Sequence, residues 1–174
     1  MKNASNPLIR ITELEQVGFV VRDVVQSAVL LWNTFGIGPW HVNDMDAETM
    51  DETTYYGKPA QFSFRIAHTP QKVGAFEIEL IQPLEGDTIY RDFLRDHGEG
   101  FHHFGWHRTH SLKDFNRTIQ ALENAGYPCI MSGRIFNVGS FAYMDTTKVL
   151  NGLLEVVYEG SPPEKPPPKL VIPG

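Results

Sequence analysis

Apolar and polar positions follow the same rhythm twice along the chain. A short apolar run opens each half, QVGFVV from Gln16 and HHFGW from His102, and a polar turn follows it. Next comes a stretch whose apolar residues fall three and four apart, the spacing of one helix face. Val24, Ala28, Leu31 and Trp32 share that face in the first half, and Leu112, Phe115, Ile119 and Leu122 share it in the second. Asp23 and Ser111 stand where a side chain accepts hydrogen bonds from the free N–H groups of a helix start, and Asp114 lies near the capping-box position. Gly36 and Gly126 stand where a helix C-cap needs a left-handed residue.

After each helix, strand-like stretches follow. They are Trp40–Asp46, Gln61–His68 and Ala75–Gln82 in the first half, and Tyr127–Gly133, Ser140–Asp145 and Leu153–Glu159 in the second. The segment TIYRDFLRDHGEG between them predicts a short helix and a turn. The pattern is strand–helix–strand–strand–strand, twice. It divides the chain into a first module at 14–84, a linker helix and turn at 85–101, a second module at 102–160 and a proline-rich tail at 161–174. The tail, GSPPEKPPPKLVIPG with the residue before it, is expected to be extended. It is either an arm over the domain or a partner subunit, or a disordered end, the second being favoured.

Composition narrows the function classes. The 174 residues make one domain or two small fused modules, and an apolar content of 41% supplies a sizeable core. A formal charge of −6, with no cluster of Lys and Arg, argues against a nucleic-acid partner. The lone cysteine, Cys129, excludes an internal disulfide and a multi-cysteine zinc site, and its apolar strand marks it as core rather than nucleophile. No apolar run of about 18 residues predicts a membrane span, and MKNASNPLIRITELEQ is too polar for a signal peptide. The expectation is a cytoplasmic protein with a small-molecule substrate and neither a nucleic-acid nor a membrane partner.

The stretch GEGFHHFGWH places His102 and His103 at the start of an apolar strand. Taken alone, such a pair is most often one water-facing and one core histidine. The repeat changes that reading. Each half carries a polar residue two before a glycine, Gln16 before Gly18 and His103 before Gly105, and each closing strand carries a glutamate, Glu79 and Glu155. Alternation sets Glu77, Glu79 and Ile81 on one strand face, and Glu155, Val157 and Glu159 on one face of the other. Buried carboxylates are paired or bound to metal. One imidazole, two carboxylates and an amide oxygen suit an octahedral cation with two positions open to water or substrate.

On these residues the chain resembles the vicinal oxygen chelate superfamily, which includes glyoxalase I, methylmalonyl-CoA epimerase, bleomycin-resistance proteins and extradiol dioxygenases. EQVGFVVRDV, ELIQPLEGDTIYRDFLRDHGEGFHHFGW and LLEVVYE are similar to the epimerase-like branch, and the likeness runs roughly from Leu14 to Glu159. The resemblance implies an α+β fold: two βαβββ modules that form a cupped, half-open mixed β-sheet barrel with the helices outside. It implies Gln16, Glu79, His103 and Glu155 as ligands of a divalent metal (Zn, Co, Ni, Mn or Mg), a set similar to that of glyoxalase I. It implies a metal-dependent isomerase, epimerase or lyase that acts through an enolate or enediolate on a small carbonyl or acyl-thioester substrate, with Glu155 or Glu79 as general base. Alternatives are a metal-free binder of the bleomycin-resistance type and, less favoured, an extradiol-type dioxygenase, which usually takes two histidines and a carboxylate on iron.

Two departures stand out. The second catalytic glutamate of the epimerases falls at Gln61, which cannot serve as a base; Glu77 or Glu48 could replace it. The glutathione-binding residues of glyoxalase I are not recognisable. Gln61, Arg65 and Tyr143 are expected substrate contacts, Arg65 only if its strand face points inward. Trp40, Tyr56, Phe64, Trp106 and Phe141 could line a pocket, although core packing is the default for aromatics on strands. His41, His68, His97, His107 and His110 are expected to be solvent-facing or structural. A sheet with open edges further predicts a homodimer.

Overall fold

The computed structural model describes residues 6–109, 111–160 and 167–173. The first half forms β1 (Gln16–Val20), α1 (Val24–Phe35), β2 (Trp40–Met45), β3 (Met50–Tyr55), β4 (Lys58–Pro59), β5 (Phe64–His68) and β6 (Glu77–Pro83). A linking helix, α2 (Ile89–His97), leads to β7 (Gly100–Thr109), α3 (Leu112–Asn124), β8 (Cys129–Ile135), β9 (Gly139–Met144), the single turn α4 (Thr147–Leu150) and β10 (Leu153–Glu159). A last strand, β11 (Leu170–Ile172), comes from the tail.

The caps fall where the sequence places them. The Asp23 carboxylate accepts from the Gln26 N–H at 2.9 Å, and the Ser111 hydroxyl accepts from the Asp114 N–H at 3.1 Å. Gly36 ends α1 in the left-handed conformation at φ 68°. Helix α3 closes one residue earlier than expected, on Ala125, with Gly126 supplying the positive φ next to it.

All strands join one mixed, curled sheet in the order β11-β2-β5-β6-β1-β7-β10-β9-β8-β3-β4. At its centre β1 and β7 run antiparallel. Each is flanked by the closing strand of its own half in parallel, β6 beside β1 and β10 beside β7. The order is therefore mirrored about the β1–β7 seam, as a duplicated βαβββ unit requires. Three apolar clusters hold it together. Val24 and Ala28 of α1 pack on Val42, Ala67 and Leu80, outside the sheet. Phe115 and Leu122 of α3 pack on Ala142, Met144 and Val156 in the same way. The third cluster fills part of the concave side, where Ile89 and Tyr90 of α2 meet Phe64, Met131, Phe141 and Tyr143.

Several local features differ from expectation; β8, for one, runs Cys129–Ile135 rather than Tyr127–Gly133, and the turn α4 was not foreseen. The hairpin β3–β4 is absent from the sequence reading because MDETTYYGKP alternates poorly. It pairs with β8 of the other half rather than with its own module, and it turns on Tyr56 and Gly57, both at positive φ as a tight two-residue hairpin demands. Strand β5 starts at Phe64, not Gln61, and β6 at Glu77, not Ala75. The tail's end is an arm rather than a disordered end: β11 pairs antiparallel with β2, Leu170 opposite Val42 and Ile172 opposite Trp40, and Ile172 is buried. The prolines of 161–166 lie outside the described residues.

Candidate metal centre

The β1–β7 seam positions the four singled-out side chains. Its register puts Gln16 opposite Gly105 and Gly18 opposite His103. The flanking pairs put Glu79 opposite Gly18 and Glu155 opposite Gly105. The polar-x-Gly motif thereby acquires a steric reason. A Cβ on Gly18 would stand 1.9 Å from Cε1 of His103, so only glycine lets the imidazole lie across β1.

The four side chains converge. His103 Nε2 lies 3.4 Å from Gln16 Oε1, 3.5 Å from Glu79 Oε2 and 3.4 Å from Glu155 Oε2. All are buried: His103 is 0% exposed, Gln16 6%, Glu155 7% and Glu79 9%. Donors held about 2.1 Å from one cation and at right angles to each other stand about 3 Å apart, and each of the three oxygens lies within half an ångström of that separation from His103 Nε2. Among the described residues, no group of three His, Cys, Asp or Glu is drawn close enough to be a finished cage as it stands. The donor set nevertheless fits a divalent ion. It offers one nitrogen and three oxygens, and it brings two acidic groups to one buried point, where a cation would offset their mutual repulsion.

His102 is the residue that sequence reasoning misplaced. Alternation would send it to the opposite face from His103, yet it is 2% exposed and its Nδ1 lies 3.1 Å from His103 Nδ1. The cause is a β-bulge. Gly18 pairs with His103 and Phe19 with Phe101, leaving His102 as the extra residue. Its ring packs among Tyr90, Phe93 and Tyr143. Burial, with a smaller contribution from the neighbouring imidazole of His103, holds its pKa well below the usual histidine value, so it is neutral. A neutral His102 can accept from an Nδ1–H of His103, which leaves the His103 Nε2 lone pair facing the three oxygens.

Tyr143 lines the same site, its ring centroid 5.1 Å from that of His103. The Tyr90 hydroxyl donates to the Tyr143 oxygen at 2.9 Å. Burial raises both phenols well above the usual tyrosine value, and the nearby Glu155 adds to it, so both stay protonated. The site opens into a cavity of about 400 Å³ in the concave face, within the range of small-molecule pockets.

The remaining expectations divide. Phe64, Phe141 and Glu48 line the cavity. Arg65 does not: Phe64, Ile66 and His68 form the inward face of β5, and Arg65 instead bonds Asp44 through Nε at 2.6 Å and Nη2 at 3.0 Å. Gln61 is exposed ahead of β5 and is not a lining residue. Trp40 and Trp106 belong to the outer clusters under α1 and α3, and Tyr56 is exposed. His41 and His68 are not mere surface residues, since both line the cavity with rings 5.7 Å apart, and His68 lies 4.0 Å from Glu77. Alternation from Glu79 would have placed Glu77 there, but no pattern singled out His41 or His68. His97 is exposed, and the side chains of His107 and His110 lie outside the described set. Cys129 is partly buried, and burial pushes its thiol up to about 11.

The chain matches the family described as the Glyoxalase/Bleomycin resistance protein/Dioxygenase superfamily over residues 15–143, and it belongs to that superfamily. No curated protein matches it. Among solved structures it is similar to methylmalonyl-CoA epimerase from Mycobacterium tuberculosis, at TM-score 0.59 and 17% identity over 91% of this chain and 94% of the other. It is also similar to a Streptomyces coelicolor methylmalonyl-CoA epimerase variant in complex with 2-nitronate-propionyl-CoA, at TM-score 0.59 and 15% identity over 87% and 99%. A methylmalonyl-CoA epimerase in complex with methylmalonyl-CoA and NH4+ gives TM-score 0.60 and 17% identity over 90% and 100%. These likenesses establish the cupped βαβββ fold. No helix among the described residues is long and apolar enough to cross a membrane.

Proposed function

We propose that the protein is a metal-dependent isomerase, epimerase or lyase of the vicinal oxygen chelate type, acting on a small carbonyl or acyl-thioester substrate. The observation that carries this reading is the convergence of Gln16, Glu79 and Glu155 oxygens on His103 Nε2 at the floor of a cavity. A divalent cation held by these four residues would polarise a chelated carbonyl and stabilise the enolate formed on proton loss, an effect worth several kcal/mol.

The chain's own residues do the rest. Glu155 or Glu79 takes the α-proton as general base, each already facing the cavity. Glu77 lies two residues from Glu79 on the same inward face, beside His68, where a second base could return a proton. Tyr143, kept protonated, can donate to a substrate oxygen. The apolar lining excludes water from the reacting carbon.

The test has two parts. Metal-free protein should take up about one equivalent of zinc, cobalt or nickel, and His103→Ala with Glu155→Ala should abolish uptake. Loaded protein should then catalyse exchange of a substrate α-proton into deuterated water. Unchanged metal affinity in the double variant defeats the proposal. Ligand binding with no metal uptake by the wild type supports a metal-free binder instead.

A further inference from the structure

Tyr90 and Tyr143 form a buried pair that the repeat does not account for. Tyr143 stands on β9 opposite Glu155, with its ring 5.1 Å from that of His103. Tyr90 comes from α2, the helix that links the two βαβββ units. Both residues are 1% exposed, and both line the cavity. The pair has two hydroxyl hydrogens and one bond between them, from the Tyr90 hydroxyl to the Tyr143 oxygen at 2.9 Å. The hydrogen left over belongs to Tyr143. Among the described residues it meets no acceptor within hydrogen-bond distance. Buried donors are normally paired, and this one is left for whatever enters the cavity.

Packing fixes the other partner. The Tyr90 ring lies between Phe64, at 5.2 Å between centroids, and His102, at 5.3 Å, and meets the Tyr143 ring nearly at right angles. The turn that carries it is capped, because the Thr88 hydroxyl accepts from the Arg91 N–H at 3.1 Å.

We infer that Tyr90 is a positioning residue: by donating to the Tyr143 oxygen, it turns the Tyr143 hydrogen into the cavity, on to an oxygen of the bound ligand. A hydroxyl that accepts one hydrogen bond is also a better donor, since each bond in a chain polarises the next. The inference rests on the proposed function only for the role of that oxygen, which gains negative charge as the enolate forms; the donor itself needs no metal. A donor already aimed at developing charge costs no reorganisation during the reaction. The ligand class that follows carries a hydrogen-bond-accepting oxygen on the side of Tyr143.

The probe that tests this is benzohydroxamate, an apolar ring joined to two neighbouring oxygens. Its binding is measured by calorimetry on the full chain, metal-free and zinc-loaded, for the wild type, Tyr90→Phe, Tyr143→Phe and the double variant. In whichever form binds the probe, Tyr143→Phe should weaken binding at least about tenfold, and Tyr90→Phe about threefold or more. In the Tyr143→Phe background, Tyr90→Phe should cost nothing further. The double variant removes both polar groups together and should melt close to the wild type. Equal losses from Tyr90→Phe in both backgrounds mark a structural role and overturn the inference. So does unchanged binding by Tyr143→Phe, or no binding of the probe in either form. A prior zinc titration separates the two claims. Failure to take up zinc defeats the metal reading, while the tyrosine cycle is still read on the metal-free protein.

Discussion

Gly18 shows how much the site depends on a missing atom. Its Cα stands where the His103 imidazole crosses β1, and a methyl group there would meet Cε1, Nδ1 and Nε2 at 1.9–2.4 Å. Gly18→Ala must therefore displace the ring or the strand. We expect zinc affinity to fall at least about a hundredfold, with a stability loss of about 1–3 kcal/mol from overpacking, read by calorimetry and thermal melting. Next to it, His102 acts through His103. His102→Phe keeps the aromatic packing but removes the acceptor facing His103 Nδ1, and metal affinity should fall about 10–100-fold while the melting temperature changes little. An unchanged affinity would remove His102 from the account. Cys129 offers a contrast. With its thiol pushed up to about 11, roughly one part in a thousand is thiolate at pH 8, so iodoacetamide should label the native chain far more slowly than the unfolded chain.

At the scale of elements, the arm and the bulge decide what alternation alone could not. Strand β11 covers the edge of β2 and buries Ile172 beside Trp40. Ile172→Asp should release the arm, lower stability by about 1–3 kcal/mol and free Lys169 from Asp44; faster proteolysis between β10 and β11 would report it. Several strands were legible because their apolar periodicity is strong and repeats: β2, β9 and β10 lie within a residue of their expected bounds. What escaped was set by long-range pairing. MDETTYYGKP becomes a hairpin only because β8 offers an edge, and LVI becomes a strand only because β2 does. The four candidate ligands were legible through the duplication, each at a matching place in its half. His102 was not, because a one-residue bulge reverses the face that alternation assigns. Arg65 failed for the simpler reason that its face was undetermined until β5 had neighbours.

For the whole molecule, the pseudo-twofold seam joins fold to site. Duplication places β1 beside β7, and two candidate ligands from each half then meet at one point. The sheet ends on the two-residue β4 with Pro59 at one edge and on the three-residue β11 at the other. The concave face, packed by α2 at one side, holds the cavity beside the candidate centre. Crystals of the full chain grown with cobalt test this arrangement most directly. The account predicts one anomalous peak within about 2.3 Å of Gln16 Oε1, His103 Nε2 and an oxygen of each of Glu79 and Glu155. A cobalt ion bound elsewhere, with these four side chains holding only water, would contradict it.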